Sequence, residues 1–419
     1  MKNQLRSVLG GSIGNLIEWY DWYAYSVFAL YFAGSFFPDE NETAQLLNTA
    51  GIFAIGFLMR PVGGWLMGSY ADRKGRKAGL TLSVLLMSAG SLMIAFVPTY
   101  ASIGMLAPVI LVLARMLQGL SIGGEYGSAA TYLSEIAPPG RRGLYSSFQY
   151  VSTTMGQLAA LTILLILQKG LLSESQLTAW GWRIPFVIGA ILAVSALFLR
   201  RNLAETEQFV SQSAPEEARG TIAELGNYRK ETFLVIGFTL GLTIAYYTFT
   251  TYIQKFLVNT AGFSKEDSTF ITLVTLVVFM LAQPVFGWLG DRYGRKPMMV
   301  IFGIAGTLCF FPLMKKLETV STVQEAVIFI MIALLILAIS TSISAIVKAE
   351  LFPANVRSLG VSFPYALTVA FFGGTAEYVA LWFKNASNAD GFYYYLTGCM
   401  LVTLVSSLFI PGDRKRLRL

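Results

Sequence analysis

The chain has 419 residues, of which 55% are hydrophobic and 13% are charged, and its mean hydropathy is +0.59. An average soluble domain is about a quarter charged, so this composition excludes an ordinary cytosolic protein. The chain contains no histidine, which excludes Ser-His-Asp triads, histidine–zinc sites and histidine proton relays.

The two cysteines, Cys309 and Cys399, lie in apolar stretches and are too few for a disulfide scaffold or a thiolate metal site. We therefore expect no metal site and no cofactor. An enzyme would need a nucleophile–base pair or a metal cluster, and the sequence offers neither. The sequence thus predicts a protein without enzymatic activity.

Twelve apolar stretches are long enough to cross a bilayer, because a span needs roughly 20 mostly apolar residues. Lipid offers the backbone no hydrogen-bond partners, so such spans are helical. The first carries Glu18 and Asp21 and has no small-residue cleavage site, so it is not predicted to be a signal peptide. In chain order the predicted spans are 8–33, 44–70, 79–97, 103–127, 143–168, 182–200, 232–258, 268–290, 298–314, 326–349, 357–383 and 391–410.

The loops between these spans alternate between basic and nearly uncharged. Basic loops include residues 73–77, 200–201 and 292–296, whereas the opposite set contains a few cations such as Lys169 and Arg183. Positively charged loops stay in the cytoplasm, which predicts that both termini are cytoplasmic. The net charge of +7 is therefore a topology signal, and we expect no nucleic-acid partner.

Two motifs recur along the chain at nearly the same spacing. Residues 68–77 (GSYADRKGRK) recur as 287–296 (GWLGDRYGRK), and residues 135–141 (EIAPPGR) recur as 350–357 (ELFPANVR). A duplicated six-helix unit explains both repeats. The predicted fold is an all-α membrane protein of twelve transmembrane helices in two pseudo-symmetric halves. Such halves are typical of alternating-access carriers, which bind substrate at the midplane between them.

The polar residues 201–231 are rich in Glu, Gln and Ser, and they are predicted to form a cytoplasmic linker. This linker would separate an N-terminal half, residues 1–200, from a C-terminal half, residues 232–419.

The first repeated motif predicts a gate. Its glycines would allow close helix contact, and its aspartates would pair with cations or cap a neighbouring helix N-terminus. Making and breaking these contacts would bias opening toward one side of the membrane, whereas the plainer alternative is a positive-inside loop. The predicted gating residues are Gly68, Asp72, Arg73, Arg76, Gly287, Asp291, Arg292 and Arg295.

Charged side chains inside spans are functional candidates, because a charge at the bilayer centre costs about 2.5–3.5 kcal/mol on insertion scales. Arg60 lies mid-span beside Pro61 and can fork onto a substrate carboxylate. The alternative for Arg60 is a salt bridge to a first-span carboxylate. Asn15, Glu18 and Trp22 are spaced along one helical face, which predicts that the first span presents polar groups to a cavity.

The second half also carries cations in its spans. Lys255 follows a run of Tyr and Thr that includes Tyr247 and Thr251, and this set is expected to bind substrate. The alternative for Lys255 is snorkelling to the outer interface. Lys348 lies near a predicted cytoplasmic span end beside Glu350, where snorkelling or a local ion pair is expected. Cations in both halves would suit a ligand with two carboxylates.

The twelve spans, the central loop and the doubled motif resemble the major facilitator superfamily. A closer resemblance, to its metabolite:proton symporter family, is carried by residues 14–21 (GNLIEWYD), 56–61 (GFLMRP), 115–127 (RMLQGLSIGGEYG) and 180–186 (WGWRIPF). Residues 247–255 and 372–378 narrow the resemblance to members that transport dicarboxylates. The match covers essentially the whole chain and implies a carrier of the bacterial inner membrane.

The resemblance implies that Arg115 pairs with a carboxylate on the first span, for which Asp21 is the matching residue. A carboxylate beside an arginine stays ionised, and breaking the pair would let it accept the coupling proton. Glu18 and Glu125 are further proton-coupling candidates, although Glu125 is equally well explained as a helix-packing partner. Gln118, in the same motif as Arg115, is a further substrate-binding candidate.

The expected function is proton-coupled import of an organic dianion, with α-ketoglutarate as the first candidate, by a monomer in the bilayer. Arg60 and Arg115 would bind one carboxylate, and Lys255 with Tyr247 and Thr251 would bind the other. Citrate, shikimate or a zwitterionic osmolyte such as proline or betaine are alternative substrates. A non-transporting membrane sensor is the alternative from a different class.

Overall fold

The computed structural model describes residues 2–38, 42–201 and 220–412. Twelve long helices run through these residues and are numbered α1–α12. The first six are α1 (Lys2–Phe36), α2 (Glu42–Lys74), α3 (Arg76–Phe96), α4 (Leu106–Ile136), α5 (Arg142–Ile166) and α6 (Ile184–Arg201). The last six are α7 (Arg229–Tyr247, Thr248–Tyr252 and Ile253–Asn259), α8 (Lys265–Tyr293), α9 (Arg295–Leu317), α10 (Val323–Ala349), α11 (Arg357–Thr368, Val369–Gly373 and Ala376–Asn385) and α12 (Ala389–Leu408).

These helices confirm the predicted all-α class. Among the described residues, ten stretches are long and apolar enough to cross a membrane, and α6 supplies a shorter apolar helix. Most of the predicted linker (residues 202–219) and all of residues 413–419 lie outside the described residues. The domain boundaries therefore stay a prediction. From Gly220 onward, a short helix, Ile222–Leu225, and a tight turn, Gly226–Tyr228, lead into α7.

The predicted end of the fourth span at residue 127 was wrong, because α4 continues to Ile136. Residues 128–135 include serine, threonine and glutamate side chains, and they are nevertheless buried in the helix bundle. The Ser134 hydroxyl donates to the carbonyl of Ala130 at 2.6 Å, and Glu135 accepts from Arg357 at 2.6 Å. Polar groups with such partners are compatible with a buried helix.

Segments of wider, π-helical geometry interrupt two of the helices and extend a third. One is Thr248–Tyr252 in α7, one is Val369–Gly373 in α11, and a third, Leu167–Leu171, follows α5. Such turns are frequent at functional sites. Gly373 lies against α7, since a Cβ atom at this position would be 2.6 Å from Thr243 Oγ1. The irregular part of α11 therefore packs against the regular first part of α7.

Glycines bring α2 and α4 into backbone contact. A Cβ atom on Gly123 would lie 2.1 Å from the carbonyl oxygen of Arg60, and one on Gly119 would lie 2.2 Å from that of Gly56. Only glycine allows an approach of this kind. The contact fixes the position of Arg60 in the molecule.

The two halves meet chiefly where α2 packs against α11 and where α5 packs against α8. We call the side that carries residues 73–76 and 292–295 the motif side. The halves touch closely near this side, because a Cβ atom on Gly287 would lie 2.6 Å from the carbonyl oxygen of Gly143. The motif side is therefore closed in this structure.

Candidate functional site

Arg60 lies halfway along α2 and is buried between the two halves. Its Nη1 donates to the Tyr247 hydroxyl of α7 at 3.0 Å. The guanidinium Cζ lies 4.1 Å from the centre of the Phe57 ring and 4.5 Å from that of Trp22. Its Nε and Nη2 have no hydrogen-bond partner. The alternative of a salt bridge to a first-span carboxylate is therefore not observed.

A small cavity lies beside Arg60, between the halves. Tyr126 closes it from the N-terminal half and Tyr365 from the C-terminal half, and their rings stack with centres 3.6 Å apart. The chain thus places a cation, indole and phenol groups, and an amide around one internal space. The lining residues are Asn15, Trp19, Arg60, Ile122, Gly123, Tyr126, Tyr365 and Ala366.

Arg115 and Asp21 are both fully buried, but the expected direct pair between them is not formed. The Ser91 hydroxyl donates to Asp21 Oδ2, and Gln118 Nε2 donates to the same hydroxyl at 3.2 Å. Arg115 Nη1 in turn donates to Gln118 Oε1 at 2.6 Å. Ser91 and Gln118 therefore bridge the two charges. Gln118, predicted to bind substrate, lies within this bridge.

The polar residues of the first span face different neighbours rather than one cavity. Asn15 lines the cavity, yet its Nδ2 donates to Ser152 and Thr153 of α5, and its Oδ1 accepts from Gln149 at 3.1 Å. Glu18 faces α4, where it accepts from the Ser121 hydroxyl. The one-face interpretation was wrong, because α1 is surrounded by other helices and each side chain meets a different one.

Trp22 and Glu125, the two remaining candidates of the first half, are both buried. The ring of Trp22 lies between the guanidinium groups of Arg60 and Arg115, with centre-to-Cζ distances of 4.5 and 4.0 Å. Glu125 is fully buried in α4. Its predicted role in proton coupling stays a prediction.

Of the predicted second-half residues, Tyr247 contacts Arg60 and Thr251 lies 2.8 Å from the Tyr23 hydroxyl of α1. Both contacts cross between the halves. Lys255 does not reach the cavity. Its side chain is 54% exposed and forms an ion pair with Glu377 of α11. The surface alternative therefore describes Lys255 better than substrate contact does.

Lys348 was wrongly predicted to snorkel or to pair with Glu350. It is fully buried, and its Nζ donates to Tyr126 at 2.7 Å and to Ser344 at 2.7 Å. The prediction failed because the span end lies inside the closed contact between the halves. Sequence reasoning also missed Tyr126, Tyr365 and Ser91 as site residues, because only their packing against neighbouring helices gives them a place in the site.

On the motif side, two aspartates cap helices of the opposite half. Asp72 accepts from the backbone amides of Ser358 and Leu359 at 3.1 and 2.9 Å, at the start of α11. Asp291 accepts from those of Gly143 and Leu144 at 2.7 and 2.9 Å, at the start of α5. The negative charge also complements the positive end of each helix dipole. Their gating role stays a prediction.

Arginines four residues later support both aspartates. Arg76 Nη1 lies 2.5 Å from Asp72, and Arg295 Nη2 lies 3.1 Å from Asp291. Arg73 and Arg292 point outward instead. Their exposure fits a headgroup contact better than the predicted role in the gate. Gly68 and Gly287 lie at the contacts between the halves, as the motif predicts.

The chain is similar to known membrane transporters. The model of a family described as sugar (and other) transporters matches residues 8–232 and 220–411. The alpha-ketoglutarate permease of Escherichia coli (strain K12) is 48% identical over 418 residues, which cover 100% of this chain and 96% of the relative. The citrate-proton symporter of Salmonella typhi is 33% identical over 374 residues, which cover 88% of this chain and 85% of the relative.

Solved structures show the same fold. The proton:xylose symporter XylE of the major facilitator superfamily, bound to 6-bromo-6-deoxy-D-glucose, superposes with a TM-score of 0.76. The identity is 19%, and the match covers 99% of this chain and 98% of the other. At this identity the likeness concerns the fold alone, with its two six-helix halves.

Proposed function

The chain belongs to the sugar (and other) transporter family of the major facilitator superfamily, and we propose that it imports α-ketoglutarate with protons by alternating access. It is a multi-pass membrane transporter. Its 48% identical relative is a permease named for α-ketoglutarate, and more distant relatives are named as citrate-proton symporters.

The observation that supports an anionic substrate is the buried guanidinium of Arg60. Its Nε and Nη2 lack partners, and it lines the cavity between the halves. A carboxylate fits these two groups as a bidentate acceptor. A buried cation without a counter-charge is costly, so a bound anion would stabilise this arrangement. A sugar would leave the charge uncompensated, and a zwitterion would bring a second cation to it.

Proton coupling is assigned to Asp21, linked to Arg115 through Ser91 and Gln118. Substrate or a shift of α3 against α4 would break this link and change the charge environment of Asp21. Entry of a dianion into a negative-inside cell is opposed by about 2.3 kcal/mol per charge per 100 mV. Co-entering protons would remove this penalty.

The remaining assignments follow from the sequence and the relatives. The protein would lie in the bacterial inner membrane with the motif side in the cytoplasm, since that side carries the basic loops. One chain supplies both halves of the cavity, so a monomer would suffice.

The test is uptake of radiolabelled α-ketoglutarate into proteoliposomes, with and without an inward proton gradient. We expect gradient-driven accumulation by the wild type and a loss of roughly tenfold or more in Arg60→Ala, because a buried charge contact is removed. Arg229→Ala is the matched control, since Arg229 is exposed at the start of α7. Accumulation should be unchanged in this control.

Competition by citrate, succinate, malate, shikimate and betaine ranks the alternative substrates. Accumulation of another solute but not of α-ketoglutarate would show that the substrate assignment is wrong. A sensor would accumulate none of them.

A further inference from the structure

Lys348 is a buried cation that the proposed transport cycle leaves without a role. In α10, its ammonium donates to the Tyr126 hydroxyl and to the Ser344 hydroxyl, each at 2.7 Å. The same ammonium lies 4.2 Å from the centre of the Tyr365 ring and 4.7 Å from that of Tyr126. Hydroxyl and π contacts stabilise a cation, but neither supplies a negative charge.

No acidic side chain of the described residues is within ion-pair distance of Lys348. Glu350, two residues along, lies 3.5 Å from Arg295 instead. A buried ammonium without a counter-charge is costly, as is the buried guanidinium of Arg60. A bound anion would remove this cost. The geometry therefore indicates a site for an anion that the chain itself does not provide.

Lys348 contacts residues that form one wall of the cavity. The stacked rings of Tyr126 and Tyr365 form one wall, and Arg60 lines the same space. Lys348 does not line the cavity itself, but its ammonium contacts both tyrosines of this wall. Arg60, from the N-terminal half, lines the cavity, and Lys348, from the C-terminal half, contacts the tyrosines of its wall.

We propose that Lys348 and Tyr126 form the subsite for the second carboxylate of the substrate, whose first carboxylate binds Arg60. This inference rests on the proposed function. The Tyr126 hydroxyl accepts from Lys348 and can still donate its own hydrogen to a carboxylate in the cavity. When the halves part on the motif side, Tyr126 moves away with α4, and the ammonium can then contact the anion directly.

Lys348 meets the requirement for a second-half cation better than Lys255 does. Lys255 is half exposed and already paired with Glu377, whereas Lys348 is buried beside the cavity wall. A water-exposed ion pair contributes little binding energy, and a desolvated cation contributes much more. The second carboxylate is thus recognised on the motif side of the cavity.

The test compares ligands that differ only in the second carboxylate. 2-Oxopentanoate is α-ketoglutarate with a methyl group in place of the distal carboxylate, and butyrate has the same relation to succinate. Equilibrium binding to the purified full chain is measured by calorimetry. In Lys348→Gln, we expect binding of each dicarboxylate to weaken by about tenfold or more while binding of each monocarboxylate stays within about twofold.

Two other variants complete the experiment. Tyr126→Phe removes only the hydroxyl, and it should weaken dicarboxylate binding by roughly threefold to tenfold, again without effect on the monocarboxylates. This variant carries the test if Lys348→Gln does not fold, as judged by thermal unfolding in detergent. Lys315→Gln is the matched lysine control, since Lys315 is 43% exposed and pairs with Glu318 and Asp390. It should leave both ligand classes unchanged.

Equal weakening for both ligand classes would show that Lys348 only supports the fold, and no weakening would show that it is not a subsite. Either result overturns the inference. Wild-type binding of succinate but not of α-ketoglutarate would contradict the proposed substrate, and the succinate and butyrate pair would still decide on the subsite. A wild type that binds no dicarboxylate overturns both proposals.

Discussion

Trp22 separates two buried guanidinium groups. Its ring centre lies 4.5 Å from Cζ of Arg60 and 4.0 Å from Cζ of Arg115. The face of an indole attracts cations, so the ring offsets part of the repulsion between the two arginines. Each arginine keeps two guanidinium nitrogens without a hydrogen-bond partner. The residues beside the cavity therefore favour an incoming anion before any carboxylate is bound.

Ser91 holds the carboxylate of Asp21 and accepts from Gln118, which accepts from Arg115. We predict that Ser91→Ala lowers gradient-driven accumulation of α-ketoglutarate by roughly tenfold, because a hydrogen bond to a charged group contributes about 1.5–3 kcal/mol. Exchange of internal for external substrate needs no net proton movement and should stay within about twofold.

Asp21→Asn should abolish accumulation and keep exchange. Ser88→Ala is the control for Ser91→Ala, since Ser88 is buried on the same helix. If Ser91→Ala reduced exchange as much as accumulation, the serine would support the helix bundle rather than the coupling.

The sequence was sufficient to find most buried charges of the site but not their partners. Arg60 and Tyr247 were both predicted, and they are in contact. The Asp21–Arg115 link was not predicted correctly, because its bridging residues lie on α3 and α4 and depend on how these helices pack. Lys348 was misplaced for the same reason: closure of the halves, and not its place in the span, determines its burial.

At the scale of the element, the start of α11 and the start of α5 are equivalent contacts. Each offers two backbone amides to an aspartate of the opposite half, Asp72 in one case and Asp291 in the other. The first turn of a helix has amides without internal partners and a partial positive charge. The duplicated motif thus forms two equivalent carboxylate contacts, and both would have to break if the motif side opens as we propose.

We predict that Asp72→Asn and Asp291→Asn each loosen the motif side. Loss of the charge at a helix N-terminus costs about 1 kcal/mol, or roughly fivefold in the population of the open contact. Hydrogen exchange followed by mass spectrometry should show faster exchange in the first turn of α11 for Asp72→Asn. The first turn of α5 should respond in Asp291→Asn.

The control is Asp267→Asn, because Asp267 lies near the start of α8 and accepts from Ser264 within its own half. Exchange in α5 and α11 should not change in this variant. Unchanged exchange in Asp72→Asn would mean that the closed contact depends on helix packing alone.

Hydropathy and the repeat were enough to predict the helices and the duplication, because both depend on residues within one segment. The end of α4 at Ile136 was missed, since polar residues that are buried by neighbouring helices look like a loop. The π-helical turn Thr248–Tyr252 has no composition that sets it apart. It lies where α7 passes the contact between the halves.

At the scale of the whole molecule, the cavity lies between two halves, with Arg60 of one half lining it and Lys348 of the other in contact with its wall. If these two cations bind the two carboxylates, as we propose, a dianion would bridge the halves and neutralise both charges. Binding energy that depends on both halves favours the closed form over either open form. The empty carrier lacks this link, so substrate occupancy and closure are coupled.

The net charge that crosses the membrane with each substrate determines how accumulation responds to the membrane potential. Against an inside-negative potential of 100 mV, a dianion without protons is opposed by about 4.6 kcal/mol, a factor of roughly 2,000. Two or more co-transported protons remove this opposition. We therefore expect that an inside-negative potential, set by a potassium gradient and valinomycin, does not reduce α-ketoglutarate accumulation at a constant inward proton gradient.

Two protons make transport electroneutral, so the potential has no effect, and a third makes an inside-negative potential stimulate accumulation. Asp21→Asn is the reference, because we expect it to accumulate no substrate, so it measures the uncoupled background at each potential. Accumulation by the wild type that falls steeply as the interior becomes negative would mean that fewer than two protons enter with each dianion. The buried carboxylates Asp21 and Glu18 could then not both act as proton carriers.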